Sequence, residues 1–187
     1  MAVVSPPPHL LLLCIDLQPV FLKALPDAGA SLLRRSQFVV ACATGLGLPV
    51  IFSEQMPQKL GPTAPELLEV APKSARQLGK TTFSVFADDG IRETIKALDI
   101  EHILICGLET PICIYQSALE ALDSQLQVTL FSDALGARRP DDAKTCLDAL
   151  VRAGVHVLPS ETVFYALLHD TRHPFFKTYT KLVKAHA

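Results

Sequence analysis

The sequence lacks a surplus of charge of either sign. Seventeen Lys and Arg stand against nineteen Asp and Glu, for a formal net charge of −2. There is no basic tail or stripe, which argues against a dedicated nucleic-acid binder and makes a nucleic-acid partner an unfavoured expectation. No apolar run approaches the roughly 20 residues that cross a bilayer, so no membrane partner is expected. The first residues, MAVVSPPPHLLLLCID, have no basic leader region and no small-residue cleavage site, and their apolar run ends in Asp16. A cytoplasmic protein is the expectation, with a mitochondrial association left open. The five cysteines include no C-x-x-C pair, and their odd number fits reduced, mostly buried thiols better than a disulfide framework. The six histidines show no metal-ligand spacing.

What the chain does have is apolar mass. The apolar fraction is 49% and the charged fraction 19% over 187 residues, which suits one domain with a substantial core. A short Pro-stiffened tail is expected over 1–9 and a single domain over 10–187. Six short strand-like runs alternate with helical patterns. The runs are Leu10 to Ile15, Pro49 to Phe52, Ala75 to Leu78, Ile103 to Cys106, Gln127 to Phe131 and Val155 to Leu158. That alternation is the pattern of an open, mostly parallel α/β sheet. The intervening patterns predict helices over Ala28 to Leu46, from Asp88 to about Leu98, from Pro111 to Leu122, from Pro140 to Ala153, from Ser160 to Leu168 and from Pro174 to Lys184. Between Met56 and Pro72 the prolines and Gly61 rule out one long element, leaving an irregular excursion with a short helix at 65–70.

Ligands of such sheets bind outside the carboxyl ends of the strands. Asp16, Glu54, Lys80, residues 109–113 and Asp133 all fall at or just past those ends. In HILICGLETPICIYQSALEAL the expected order is strand, Gly107, then a helix with Thr110 as N-cap and Pro111 in its first position. Cys113 then sits in the first helical turn, near the positive end of the helix dipole, where a thiolate is favoured. Asp16 as a base, Lys80 as a cation and Cys113 as a nucleophile are the right chemical types on one rim. Each also has an ordinary structural reading: a packed thiol, a strand-end carboxylate bonded to backbone, a solvated lysine.

Four blocks in order carry a resemblance: LLLCIDLQ, SEQMPQKLGPT, GKTTFSVF and CGLETPICIYQSALEAL. Together the sequence resembles the isochorismatase-like cysteine hydrolase family, which includes nicotinamidases, over roughly residues 10–168, and the second block is most similar to its small isochorismatase-domain branch. The resemblance implies a three-layer α/β/α Rossmann-like fold with a six-stranded parallel sheet in the order 3-2-1-4-5-6. It implies Asp16 as general base, Lys80 as the cation between base and thiol, and Cys113 as nucleophile. It also implies an oxyanion hole from the backbone N–H groups of Glu109 and Cys113, with a cis peptide at Leu108–Glu109. The expected activity is hydrolysis of a small carbonyl compound, an amide C–N bond first, through a thioester. Homo-oligomers, dimeric or larger, are common in the family.

Nicotinamidases carry an Asp-x-His-x-His metal site past the second strand. This chain has Glu54-Gln55-Met56 there, so no metal and no cofactor is expected. Gln18, Phe21, Glu54, Gln55, Phe83 and Thr110 are candidate pocket residues, with Gln18 and Glu54 equally able to be scaffold. Three other classes stay open: a vinyl ether hydrolase of the isochorismatase type, for which Cys113 is dispensable; an RNA-acting, ribonuclease-like hydrolase; and a non-catalytic oligomeric scaffold.

Overall fold

The computed structural model describes residues 9–25 and 28–186. The tail expected over 1–9 lies, except for His9, outside the described residues, as does the expected Pro26-Asp27 break. Strands β1 (Leu10–Ile15), β2 (Val50–Gln55), β3 (Arg76–Lys80), β4 (His102–Gly107), β5 (Gln127–Leu135) and β6 (His156–Leu158) form one parallel sheet in the order β3-β2-β1-β4-β5-β6. This is the expected order. Strand succession reverses between β1 and β4, and a crevice at the carboxyl ends opens there.

Both faces of the sheet are covered, so β1 is apolar at every position and still alternates in what it touches. Leu12 and Cys14 join the layer built on α2 (Gly29–Gly45), α8 (Ser160–Leu168) and α9 (Phe176–His186), where Phe38, Phe164 and Tyr179 meet. Leu11, Leu13 and Ile15 face the opposite layer of α5 (Asp89–Lys96), α6 (Tyr115–Asp123) and α7 (Pro140–Arg152). Continuous apolar strands of this kind are what a doubly covered parallel sheet requires.

Three short helices complete the rim: α1 (Pro19–Lys23), α3 (Pro57–Leu60) and α4 (Pro65–Leu68). Each begins with proline, whose missing N–H costs nothing at a helix start. The irregular excursion therefore holds two single-turn helices where one was expected.

Some boundaries move. Ser53, Glu54 and Gln55, expected just past β2, belong to it, because they pair with Leu78, Gly79 and Lys80. Strand β5 runs four residues further than expected and crosses a register shift opposite Ile105 to Gly107.

Candidate active site

Asp16 leaves β1 with φ 54°, a left-handed backbone that turns its carboxyl under the rim. Its Oδ1 accepts from Ser53 Oγ at 3.2 Å, and its Oδ2 accepts from Lys80 Nζ at 2.8 Å. Lys80 reaches in from the end of β3. Its ammonium also donates to Gln55 Oε1 at 2.6 Å and to the Thr82 carbonyl at 3.3 Å, and lies 3.8 Å from Cys113 Sγ. The Asp16 and Lys80 side chains are 3% and 0% exposed, so the ion pair is out of water.

Cys113 arrives differently from expectation. Thr110 is no side-chain N-cap: its N–H and its hydroxyl both donate to the Gly136 carbonyl, at 2.9 and 3.0 Å. The segment Thr110–Ile114 opens as a wide π turn, with Ile114 N–H donating to the Glu109 carbonyl five residues back, and α6 follows. The Leu108–Glu109 peptide is cis. Gly107, with φ 130°, lets β4 come against β1, because a Cβ there would fall on the Ile15 carbonyl. Leu108 N–H then donates to that carbonyl at 2.8 Å.

The expectation of a favoured thiolate is corrected. Burial pushes the Cys113 thiol up to about 12, and the Asp16 carboxylate pushes in the same direction. Lys80 and the Glu109 backbone N–H, which is directed at the sulfur, pull it back only in part. That direction favours the neutral thiol in the resting site. Burial also raises Asp16 above the usual carboxylate range, with the Lys80 charge the largest opposing influence. Among the described residues no backbone carbonyl accepts from the Glu109 N–H. The arrangement thus places a carboxylate acceptor, a fixed cation and a neutral thiol around one point.

That point is at one end of a cavity of about 470 Å³ whose lining includes Asp16, Gln55, Glu109 and Cys113. Phe21 and Phe83 form part of its wall, and Phe83 is 58% exposed at its mouth. Three candidates are not on the lining. Gln18 is fully buried, its amide donating to the Gln55 and Gly61 carbonyls and its Oε1 accepting from Gln55 N–H, so it ties the rim loops together. Glu54 accepts from both the N–H and the hydroxyl of Thr63, and faces a separate cleft beside β3. Thr110 is occupied with Gly136. All three are occupied by hydrogen bonds within the rim, to backbone groups and, for Glu54, also to the Thr63 hydroxyl.

Sequence reasoning missed Ser53, Val20 and Ile112, and although it expects pocket walls between Met56 and Pro72 it does not single out Met56 and Leu60, which complete the apolar wall. Val20, Phe21 and Ala24 lie on one side of a single helical turn, a spacing too short to register as a period. Arg138, which donates to Glu109 Oε1 at 3.0 Å, lies on a loop with no pattern to mark it.

The isochorismatase domain model matches residues 10–162. Isochorismatase domain-containing protein 2 of Xenopus laevis is 34% identical over 176 residues, covering 92% of this chain and 82% of that protein. Its namesake in Bos taurus is 37% identical over 140 residues, covering 74% of this chain and 66% of its own length. Among solved structures, a MAR1 ribonuclease from Caenorhabditis elegans superposes with a TM-score of 0.89 at 27% identity, over 96% of this chain and 91% of the other. The YcaC gene product of Escherichia coli, described as an octameric hydrolase of unknown specificity, shares the fold with a TM-score of 0.82 at 20% identity, over 100% of this chain and 97% of the other. The matched domain runs from β1 past the Cys113 turn and into α8, so it contains every strand of the sheet and all the residues of the buried cluster, and by that match the chain belongs to the isochorismatase-domain family.

Proposed function

We propose that the chain is a metal-independent cysteine hydrolase that cleaves a small carbonyl compound, an amide C–N bond in the first instance. The observation that carries the reading is Lys80 Nζ standing 2.8 Å from Asp16 Oδ2 and 3.8 Å from Cys113 Sγ at the cavity's end. With the neutral thiol favoured, sulfur becomes nucleophilic only as its proton leaves. As sulfur bonds to the carbonyl carbon, the thiol proton passes to Asp16. The carbonyl oxygen gains negative charge and is held by the backbone N–H groups of Glu109 and Cys113. Asp16 then gives the proton to the departing nitrogen, the C–N bond breaks, and a thioester remains. Water enters, loses a proton to Asp16 and attacks the thioester. The C–S bond breaks, sulfur recovers the proton, and the carboxylic acid leaves. Lys80 keeps Asp16 oriented and balances its charge throughout.

The test is a screen of amides and esters with the wild-type chain and Cys113→Ala, read by product formation and intact mass. A mass adduct on Cys113 that disappears with continued turnover is the expected result. No turnover of any amide or ester, with a vinyl ether cleaved equally by the wild-type chain and Cys113→Ala, points instead to vinyl ether chemistry.

The ribonuclease named for the C. elegans neighbour supplies a second reading, cleavage of a phosphodiester. RNA binding that weakens steeply with salt is the outcome that favours it. The octamer named for the E. coli neighbour makes a homo-oligomer part of the same proposal, measured by sedimentation.

A further inference from the structure

The charged and polar side chains lining the cavity, the thiol aside, are each paired within the protein, although Arg138, 61% exposed at the rim, engages only its Nε and leaves its terminal guanidinium nitrogens to solvent. Asp16 is paired with Lys80 and Ser53. Gln55 accepts from Lys80 through Oε1 and donates to the Thr81 carbonyl through Nε2. Glu109 accepts from the N–H and the guanidinium of Arg138. The four charges around the space cancel two by two, Asp16 with Lys80 and Glu109 with Arg138. The rest of the wall is apolar: Val20, Phe21, Met56, Leu60, Phe83 and Ile112 among others. A ligand carrying its own charge would lose hydration on entry, and beyond the exposed Arg138 at the rim the wall offers no unpaired charge to replace it. The volume of about 470 Å³ lies within the range of small-molecule sites. At the mouth Phe83 is 58% and Val20 43% exposed, so the apolar wall continues out to the entrance of the cavity.

We infer that the substrate is an uncharged, predominantly apolar amide, a branched-alkyl or aryl-alkyl carboxamide, whose only polar part is the group that reacts. This rests on the proposed hydrolase reading for the reaction but on the wall alone for the selectivity. Phe83 is then a specificity-determining residue, its ring lying over the apolar part of the ligand.

The experiment separates binding from chemistry. Cys113→Ala is titrated with acetamide, isobutyramide and phenylacetamide, and with the charged glycinamide and succinamate, by ligand-observed NMR. Affinity is expected to rise about fourfold for each methylene-sized increment of apolar group buried. The charged amides are expected to bind at least tenfold more weakly than phenylacetamide. Phe83→Ser, at an exposed position that leaves the fold intact, should flatten the dependence on apolar size. Glycinamide or succinamate binding as tightly as phenylacetamide overturns the inference, and so does an affinity indifferent to size. With the wild-type chain, phenylacetamide that binds yet never acylates Cys113 overturns the hydrolase reading while leaving the selectivity in place. Fast turnover of charged amides does the reverse.

Discussion

Lys80 holds two unlike groups at once, and the energetics of the site follow from its burial. Its side chain is fully buried beside Asp16, so removing the ammonium leaves a carboxylate in the interior without a counter-ion. Breaking a buried pair in this way costs about 3–5 kcal/mol. Lys80→Met should therefore lower the unfolding free energy at neutral pH by about that amount, measured by urea titration. A loss within the range of a surface pair, about 0–1 kcal/mol, would mean that water reaches the pair. The pH dependence has a definite sign. Burial raises Asp16 above the usual carboxylate range, so the folded chain holds this proton more firmly than the unfolded chain. Asp16 thus takes away stability as pH rises from the ordinary carboxylate value through the raised one. Turnover needs Asp16 ionised and should fall as pH drops through that same raised value. On the alkaline side, a thiol pushed up to about 12 gives no inflection near neutrality. A rate profile that climbs with a midpoint near pH 8 or 9 would instead report a thiolate forming in the resting site, with the Lys80 charge outweighing burial.

Among the elements, the join of β4 to the Cys113 turn is the most constrained. Gly107 combines φ 130° with direct contact of β4 and the Ile15 carbonyl, where any Cβ would collide. Gly107→Ala should destabilise the chain by more than the about 1–3 kcal/mol of an unfavourable backbone region alone. It should also reduce turnover far beyond what the stability loss explains, because Leu108, Glu109 and Cys113 are placed by that approach. Circular dichroism melting beside kcat on the folded fraction separates the two effects, and unchanged kcat would show that the turn re-forms without the close contact. This scale also shows what was legible in the sequence. The meeting of Asp16, Lys80 and Cys113 at one rim is legible because parallel strands deliver their carboxyl ends to the same side. The start of the Cys113 segment is not. Thr110-Pro111 is a good local signal for a capped α-helix, yet the Gly136 carbonyl from β5's far end captures the Thr110 hydroxyl and a π turn results. A partner 26 residues away in the chain has no local trace.

For the whole molecule, hydrophobic periodicity was sufficient for the strand count, and the resemblance for the strand order, since β1 buried on both faces admits few alternatives. The cavity wall was less accessible. It is drawn largely from α1, α3 and the loop holding Phe83, segments of eight residues or fewer, whose inward faces are decided only when the sheet brings them together. Gln18 and Glu54 illustrate the same point: polar residues beside a site can serve the loops around it and never face the ligand. Among the described residues no helix is long and apolar enough to cross a membrane.

The buried cluster has a consequence in time. Lys80 meets Asp16 across 64 residues of chain and Cys113 across 33. Neither contact can form inside a local segment, and closing such loops must precede any gain from them. A refolding chain should therefore regain helix signal well before it regains the Cys113 site. Stopped-flow circular dichroism beside the delayed capture of a thiol-directed aldehyde gives the two clocks, and coincident recovery would mean that β1, β3 and β4 come together in a single step. A nascent chain that has not yet extended past β4 carries the base and the cation, but not the sulfur they act on.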